Sequence, residues 1–249
     1  FNPFVEMRGL ASEGADNESN YAYSAWAKKL CDGLTAIYNK YGLSSLYDSA
    51  EGIALDSIDV NLMQRMILIN HIRANANGNG YGVTSLSDSQ GLGEGLMDNF
   101  RDWKPGYKQL MENAWAKLRW DILLNNSNLN VETGDEMRLR ANITTEDVLK
   151  PGDYTASFYI TDASGKTVVT LEDESFTVKS GENAPFAYYV LDQTISIDLP
   201  AGTYTLNCKL NADYDCANAT MDFIVTDNSG VVKAGTAVTV LGDLTASMK

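Results

Sequence analysis

The second half of the chain is a series of short segments in which apolar and polar side chains alternate, and this pattern constrains the fold most. From about residue 129 the segments are MRLRANIT, YTASFYIT, KTVVTLE, ESFTVKS, TISIDL, TYTLNCKL, ATMDFIVTD and AVTVLG. Turn sequences such as PGD, DASGK and PAGT separate them. Alternation with a period of two predicts half-buried strands. We therefore expect residues 125–249 to form an immunoglobulin-like β-sandwich of antiparallel strands.

The first half of the chain has longer, helical periodicity. Apolar side chains recur at steps of three and four residues in 20–41, 57–73 and 105–120, which predicts three helices. Two short apolar or β-rich runs, 3–5 and 80–88, are predicted strands. Strands that alternate with helices favour parallel βα units. Two strands cannot cover both edges of a parallel sheet, so residues 1–124 are expected to be an incomplete α/β unit.

Composition limits the classes of partner. The chain of 249 residues carries a net charge of −14, which repels phosphate backbones and anionic lipid surfaces. We therefore expect no nucleic-acid partner and no membrane partner, and a neutral ligand instead. The single histidine, His71, leaves no basis for a His-based metal site or a Ser-His-Asp triad. No cofactor and no metal are expected.

The cysteines leave the redox state open. Cys31 falls in a helical pattern and is expected to be a small core residue. Cys208 and Cys216 flank a polar segment between two predicted strands, so the spacing suits a hairpin-closing disulfide or two free thiols equally. A disulfide would require an oxidising compartment. We expect the protein to be secreted, periplasmic or at the cell surface.

Three stretches taken together resemble the C-terminal part of a glycoside hydrolase family 2 protein. FVEMRGLAS resembles the seventh strand of the family's (β/α)8 barrel, and GYGVTSLSDSQGLGEGLMDNFRDWKPGYKQL resembles the eighth strand and its loop. WAKLRWDILLNNSNLNVETGDEMRLRANITTEDVLKPGDYTASFYITDASG resembles the passage into the following sandwich. The resemblance covers about half of the chain and implies that residues 1–124 are the last two βα units of a barrel.

The resemblance also implies a retaining glycosidase activity on a β-linked glycan or glycoside. Glu6 matches the position of the nucleophile, and Asp88 and Trp103 fall in the loop that shapes the sugar pocket. Such enzymes need a second carboxyl group, the acid/base, about 5–5.5 Å away. That residue belongs to a barrel strand that this chain does not contain. The isolated chain is therefore expected to be inactive and to associate with the N-terminal part of the barrel or with itself.

Each candidate residue also has a simpler interpretation. On an extended strand Arg8 would share a face with Glu6 and could pair with it, either to keep a nucleophile charged or as an exposed ion pair without function. Asp88 suits a sugar contact or an Asx turn. Trp103 suits sugar stacking or a core position. Glu94, between glycines in GLGEG, is a candidate pocket acid on a loop.

The main alternative to an enzyme fragment is a non-catalytic module. A sandwich docked to a helical region could bind carbohydrate or a cell-surface partner without chemistry, or could serve only as an interaction scaffold. The sandwich segments contain no convergent set of acids, which favours a structural or weakly binding role for residues 125–249. In the cluster PFAYYV, alternation predicts that one of Tyr188 and Tyr189 is buried.

Overall fold

The computed structural model describes residues 1–17, 22–77, 80–89, 93–125, 128–182, 184–216 and 219–227. In these residues an N-terminal helical region is followed by a β-sandwich. The predicted strand AVTVLG lies outside the described residues. The helices are α1 (Pro3–Ser12), α2 (Ala22–Lys40), α3 (Ala50–Arg73) and α4 (Tyr107–Ala114), with a 3₁₀ turn at Leu43–Ser45 between α2 and α3.

The predicted strand at residues 3–5 is wrong, because this segment is the start of helix α1. Asn2 caps the helix: its side-chain oxygen accepts hydrogen bonds from the backbone N–H groups of Phe4 and Val5 at 3.1 and 3.4 Å. Pro3 lies in the first turn, where its missing N–H costs nothing. Glu6 lies in the same turn, where the positive end of the helix dipole stabilises an acidic side chain. These local signals outweigh the apolar run Pro3–Val5.

The predicted strand at residues 80–88 does not form either. The backbone N–H of Asp88 donates to Met97 O at 2.8 Å, and those of Leu96 and Met97 donate to Leu86 O. The segment therefore pairs with the loop that follows it, through isolated bridges. Among the described residues before Leu118 there is no β-strand, and a partial barrel is not formed there.

The first two predicted helices are confirmed, with altered ends and faces. Helix α3 begins at Ala50, seven residues before the predicted start at residue 57. Val60 and Met63, two apolar residues of this helix, are exposed. The third predicted helix, 105–120, ends at Ala114. Its last part belongs instead to a strand.

Nine strands form two sheets in the described part of the chain. One sheet has the order β1-β3-β7, and the other has the path β2-β9-β8-β4-β5 with β6 also paired to β4. All pairs are antiparallel except β2 with β9. The strands are β1 (Leu118–Leu124), β2 (Asn130–Glu132), β3 (Glu136–Thr145), β4 (Gly152–Asp162), β5 (Thr167–Thr170), β6 (Glu174–Val178), β7 (Ala187–Ser196), β8 (Gly202–Leu210) and β9 (Thr220–Thr226).

Strand β1 is buried along its whole length because it is covered on both faces. One face carries Trp120, which packs edge-on against Phe158 in the core between the sheets, with ring centroids 5.6 Å apart. The other face carries Arg119 and Asp121 and lies against α3. Strand β1 ends at Leu124, so strand pairing in this sheet begins before residue 125, where the sequence predicts the boundary between the two domains. That domain boundary remains a prediction.

Buried polar groups join the helical region to the sandwich. The Arg119 Nε atom lies 2.9 Å from Asp121 Oδ1, and both side chains are fully buried. Asn70 of α3 donates from Nδ2 to Ile122 O at 3.0 Å and accepts from the Arg119 guanidinium. Asn142 donates to Ala74 O at 3.0 Å. Burial raises the pKa of Asp121 to about 6, and Arg119 acts in the opposite direction.

Two smaller expectations can be compared with the sandwich. Tyr188 is buried and Tyr189 is 69% exposed, which confirms the prediction from alternation. Cys208 and Cys216 are free thiols in this structure, as is Cys31.

In the described part of the chain, no helix has the length and apolarity required to cross a bilayer.

Candidate functional site

Three of the four predicted site residues meet at one cavity in the helical region. The cavity has a volume of about 280 Å³ and lies between α1, the start of α3 and the loop that precedes α4. Glu6, Asp88 and Trp103 all line it, although they lie as much as 97 residues apart in the chain. Its other polar lining residues are Asn2, Glu51, Asp98, Asp102 and Lys104. We call it the Glu6 cavity.

Glu6 is the most deeply placed carboxyl group of the cavity. The residue is 1% exposed, and its Oε1 atom accepts a weak hydrogen bond of 3.4 Å from the backbone N–H of Asn99. Its Oε2 atom is buried and has no hydrogen-bond partner among the described residues. Burial raises the pKa of Glu6, and the hydrogen bond from Asn99 opposes the rise. Glu6 therefore holds an unsatisfied buried acceptor at the wall of the cavity, which is unusual for a polar atom in a folded protein.

Asp88 is held in a buried ion pair. Its Oδ1 atom accepts hydrogen bonds from the Lys104 ammonium and from the backbone N–H of Gly95, each at 2.8 Å. The Lys104 ammonium also donates to Gly93 O at 2.9 Å. Asp88 Oδ2 is buried without a partner among the described residues. Asp88 is therefore neither an Asx turn nor a free sugar contact: one oxygen organises the loop, and the other is unused.

On an extended strand Arg8 could pair with Glu6, but in the structure the two side chains do not pair. Because the segment is helical, residues two apart do not share a face. Arg8 instead forms a bidentate ion pair with Glu51 of α3, at 2.8 and 2.9 Å. Asn2 also donates to Glu51 Oε1 at 3.0 Å. These contacts fix α1 against the start of α3 and so hold Glu6 in place.

The two remaining predicted residues differ in their position. Trp103 is 39% exposed and lies on the rim of the Glu6 cavity. Glu94 does not line this cavity. It is exposed, accepts a hydrogen bond from Ser85 Oγ at 3.2 Å, and borders a separate cavity on the other side of the loop. The alternation of glycines around Glu94 indicated an accessible acid but not which cavity it would border.

Sequence reasoning missed four charged residues of the cavity: Glu51, Asp98, Asp102 and Lys104. Lys104 comes directly after Trp103, but only the folded loop shows that its ammonium reaches Asp88. Asp98 shapes that loop, since its Oδ1 atom accepts from the N–H groups of Phe100 and Asp102, each at 2.9 Å. A signal was present in the pattern DNFRD, where an Asp precedes a tight turn.

The cavity is strongly acidic, because five carboxyl groups and one ammonium line it. Such a site repels anionic ligands and accepts hydroxyl donors well. In the described residues, no group of three or more His, Cys, Asp or Glu side chains is placed to hold a metal ion. The exposed indole beside buried carboxyl oxygens suits a ligand with an apolar face and several hydroxyl groups.

Gly95 is expected to be essential for the shape of this site. A Cβ atom there would lie 2.3 Å from both Asp88 N and Ser87 C, which are backbone atoms that cannot rotate away. Gly95→Ala should therefore lower the free energy of unfolding by about 1–3 kcal/mol and disturb the bond from Gly95 to Asp88. Urea denaturation measures this. The control is Gly82→Ala, where a Cβ would meet nothing within 4 Å; an equal loss in both variants would contradict the prediction.

Comparison with known proteins finds only distant structural similarity. No protein-family model matches the chain, and no curated protein matches it. Among solved structures, the CARDB domain of a Pyrococcus furiosus protein, in complex with di-metal ions, has 12% identity and a TM-score of 0.32, over 44% of this chain and 89% of that one. A Listeria innocua β-glucosidase in complex with glucose has 10% identity and a TM-score of 0.30, over 63% of this chain.

The chain spans only a small part of some of these proteins. It covers 22% of the β-glucosidase. It covers 32% of an alkylpurine DNA glycosylase from Pseudomonas fluorescens bound to DNA, with 11% identity and a TM-score of 0.29. The similarities are partial, to segments of a β-glucosidase and to small β-sandwich domains. The binding and catalytic properties of those proteins are not transferred to this chain.

Proposed function

We propose that this chain is the C-terminal part of a retaining glycoside hydrolase that acts on a β-linked glycan or glycoside, with Glu6 as its nucleophile. The observation that carries the proposal is the meeting of Glu6, Asp88 and Trp103 at one cavity. The resemblance to glycoside hydrolase family 2 selected these residues from two separate stretches of sequence, Glu6 from the first and both Asp88 and Trp103 from the second.

The chemistry of the cavity supports this role. A retaining glycosidase attacks the anomeric carbon with a carboxylate and forms a covalent glycosyl-enzyme intermediate. Glu6 has a buried oxygen that no described group occupies. Trp103 offers an apolar surface on the rim for the C–H face of a sugar. Asp102 offers an exposed acceptor for sugar hydroxyls.

Exposed apolar side chains support the proposal of a further part that covers the helical region. Val60, Met63 and Leu68 of α3 and Ile37 of α2 are each at least 40% exposed. A helix with apolar residues around its circumference is usually covered on all sides. We infer that a further part of the protein packs here and supplies the acid/base carboxyl group, with the immunoglobulin-like sandwich behind the helical region. The isolated chain would then show no turnover.

A mechanism-based fluoroglycoside probe on the full-length protein tests the assignment of Glu6. We expect the sugar to be attached to the peptide that contains Glu6, as read by mass spectrometry after digestion. Glu6→Gln should reduce labelling to background, because an amide is not a nucleophile. The labelling rate should rise with pH, because only the ionised carboxylate attacks. Since burial raises the pKa of Glu6, this rise should occur at a higher pH than for an ordinary glutamate.

The matched control is Glu13→Gln, which removes an exposed carboxylate just after α1 and should leave labelling unchanged. Labelling of a different acid, with the Glu6→Gln protein labelled at the normal rate, would remove Glu6 from the mechanism. Failure of every β-configured probe to label the intact protein would favour the non-catalytic module.

A further inference from the structure

A second cavity lies at the junction of the helical region and the sandwich. It has a volume of about 480 Å³, within the range of small-ligand sites. Its walls come from the end of α3, the segment after it, the end of α4 and the sandwich loops. We name it the junction pocket, and its principal lining residues are Arg73, Tyr81, Trp115, Glu146 and Phe186.

One wall of the junction pocket is aromatic. The rings of Tyr81 and Trp115 are stacked, with centroids 6.0 Å apart and planes 20° apart. The Tyr81 hydroxyl donates to Ala114 O at 3.0 Å, which holds the tyrosine against the end of α4. Trp115 is nevertheless 54% exposed. A large indole that is braced on one side and open to a cavity on the other is a surface for a ligand rather than part of the core.

The opposite wall is polar and electrically balanced. The Arg73 guanidinium donates to Glu146 Oε1 at 2.7 Å and to Ala116 O at 3.1 Å. Arg73 is 91% buried, and its Nε atom has no hydrogen-bond partner among the described residues. Glu146 is partly exposed, so its carboxylate remains accessible. The pocket therefore combines an open aromatic face with an accessible carboxylate that is neutralised by a buried guanidinium.

We propose that the junction pocket is a carbohydrate-binding site, with a neutral sugar ring stacked on Trp115. The apolar C–H face of a pyranose suits the exposed indole, and its hydroxyl groups can donate to the accessible Glu146 carboxylate. The balanced Arg73–Glu146 pair and the net charge of −14 disfavour an anionic ligand. An apolar ligand would leave the charged pair desolvated without compensation.

The junction pocket suits an oligosaccharide better than a monosaccharide. A neighbouring cavity, also of about 480 Å³, shares Glu146 and Phe186 with it and continues between the sandwich loops. Lys150 and Lys179 line this continuation together with Asp147 and the shared Glu146, so the charges of its lining balance. The site does not depend on the proposed catalytic role, because the junction pocket and the Glu6 cavity share no lining residue.

Isothermal titration calorimetry of the chain with a panel of neutral trisaccharides tests this proposal. The panel contains cellotriose, laminaritriose, xylotriose and mannotriose, with trigalacturonic acid as an anionic comparison. We expect at least one neutral trisaccharide to bind and the anionic one not to bind. Trp115→Ala should raise the dissociation constant about tenfold, which is the loss of affinity expected when one aromatic contact is removed. Trp115→Phe should retain most of the affinity because a ring remains.

A control locates the effect. Tyr189→Ala removes an exposed aromatic side chain that lines neither the junction pocket nor the Glu6 cavity, and it should leave this binding unchanged. Thermal unfolding of each variant checks that the fold is intact. The proposal is overturned if no neutral trisaccharide binds, or if the Trp115→Ala protein binds as well as the unchanged chain. Loss of binding in Tyr189→Ala alone would also overturn it, whereas absent covalent labelling at Glu6 affects only the proposed catalytic function.

Discussion

Asp121→Ala is expected to lower the free energy of unfolding by about 3–5 kcal/mol, because it leaves a fully buried guanidinium without its counter-ion. Arg119 and Asp121 are both completely inaccessible on the face of β1 that lies against α3. Asn70 accepts one hydrogen bond from Arg119, but it is neutral and cannot balance the charge. Thr144 would lose its bond to the Asp121 carboxylate as well. Chemical denaturation followed by circular dichroism measures the loss.

The control is an Arg–Asp pair on the surface of the same sheet. Arg138 of β3 and Asp192 of β7 form a bidentate pair with both side chains about half exposed. Asp192→Ala should cost less than about 1 kcal/mol. The joint replacement Arg119→Met with Asp121→Leu should cost less than the sum of the two single changes, because no charge is then left unpaired. Equal losses in Asp121→Ala and Asp192→Ala would show that the buried pair is hydrated or rearranged.

The sandwich could be predicted from sequence because most of its strands have one buried face and one exposed face. Strand β4 shows the expected pattern, with Ala156, Phe158 and Ile160 buried at every second position. Strand β1 was not recognised, although Leu118–Ile122 alternates between apolar and charged residues, because the segment overlaps the helix predicted over 105–120. Unlike the strands with one exposed face, it has its charged side chains buried as well. A pattern rule that assigns charges to the surface fails there for a physical reason.

The start of the chain shows the opposite kind of error. The run Pro3–Val5 is too short for periodicity to distinguish a strand from a helix. The sequence NPFVE nevertheless contains a helix start: Asn as cap, Pro in the first turn and Glu in the same turn. The resemblance to a barrel strand predicted a strand at this position, in conflict with this local signal for a helix. In the structure the capping hydrogen bonds of Asn2 form, and the helix follows.

The candidate site was predictable only in part. Resemblance selected Glu6, Asp88 and Trp103, and the structure places all three at one cavity. The ion pair of Asp88 with Lys104 and the role of Asp98 in the loop depend on how residues 93–105 fold back. No periodic pattern encodes such a loop. The junction pocket was missed for the same reason, because Arg73, Trp115 and Glu146 come from different elements that only tertiary packing brings together.

Trp120→Ala should lower the free energy of unfolding by about 3–5 kcal/mol, the usual cost of removing a large aromatic side chain from a core. Trp120 is fully buried between the two sheets and packs edge-on against Phe158. The cavity left behind would be enclosed by paired strands of both sheets, which can move little to fill it. Urea denaturation followed by far-ultraviolet circular dichroism measures the change without relying on tryptophan fluorescence.

Trp115→Ala is the matched control for this prediction, since it removes the same side chain five residues earlier. Trp115 is 54% exposed and contacts Tyr81 on one face only, so its loss should cost less than about 1.5 kcal/mol. The two variants therefore separate a tryptophan that stabilises the sandwich from one that is available to a ligand. A loss as large for Trp115→Ala as for Trp120→Ala would mean that the indole supports the junction itself. Its exposure would then no longer argue for a sugar on its surface.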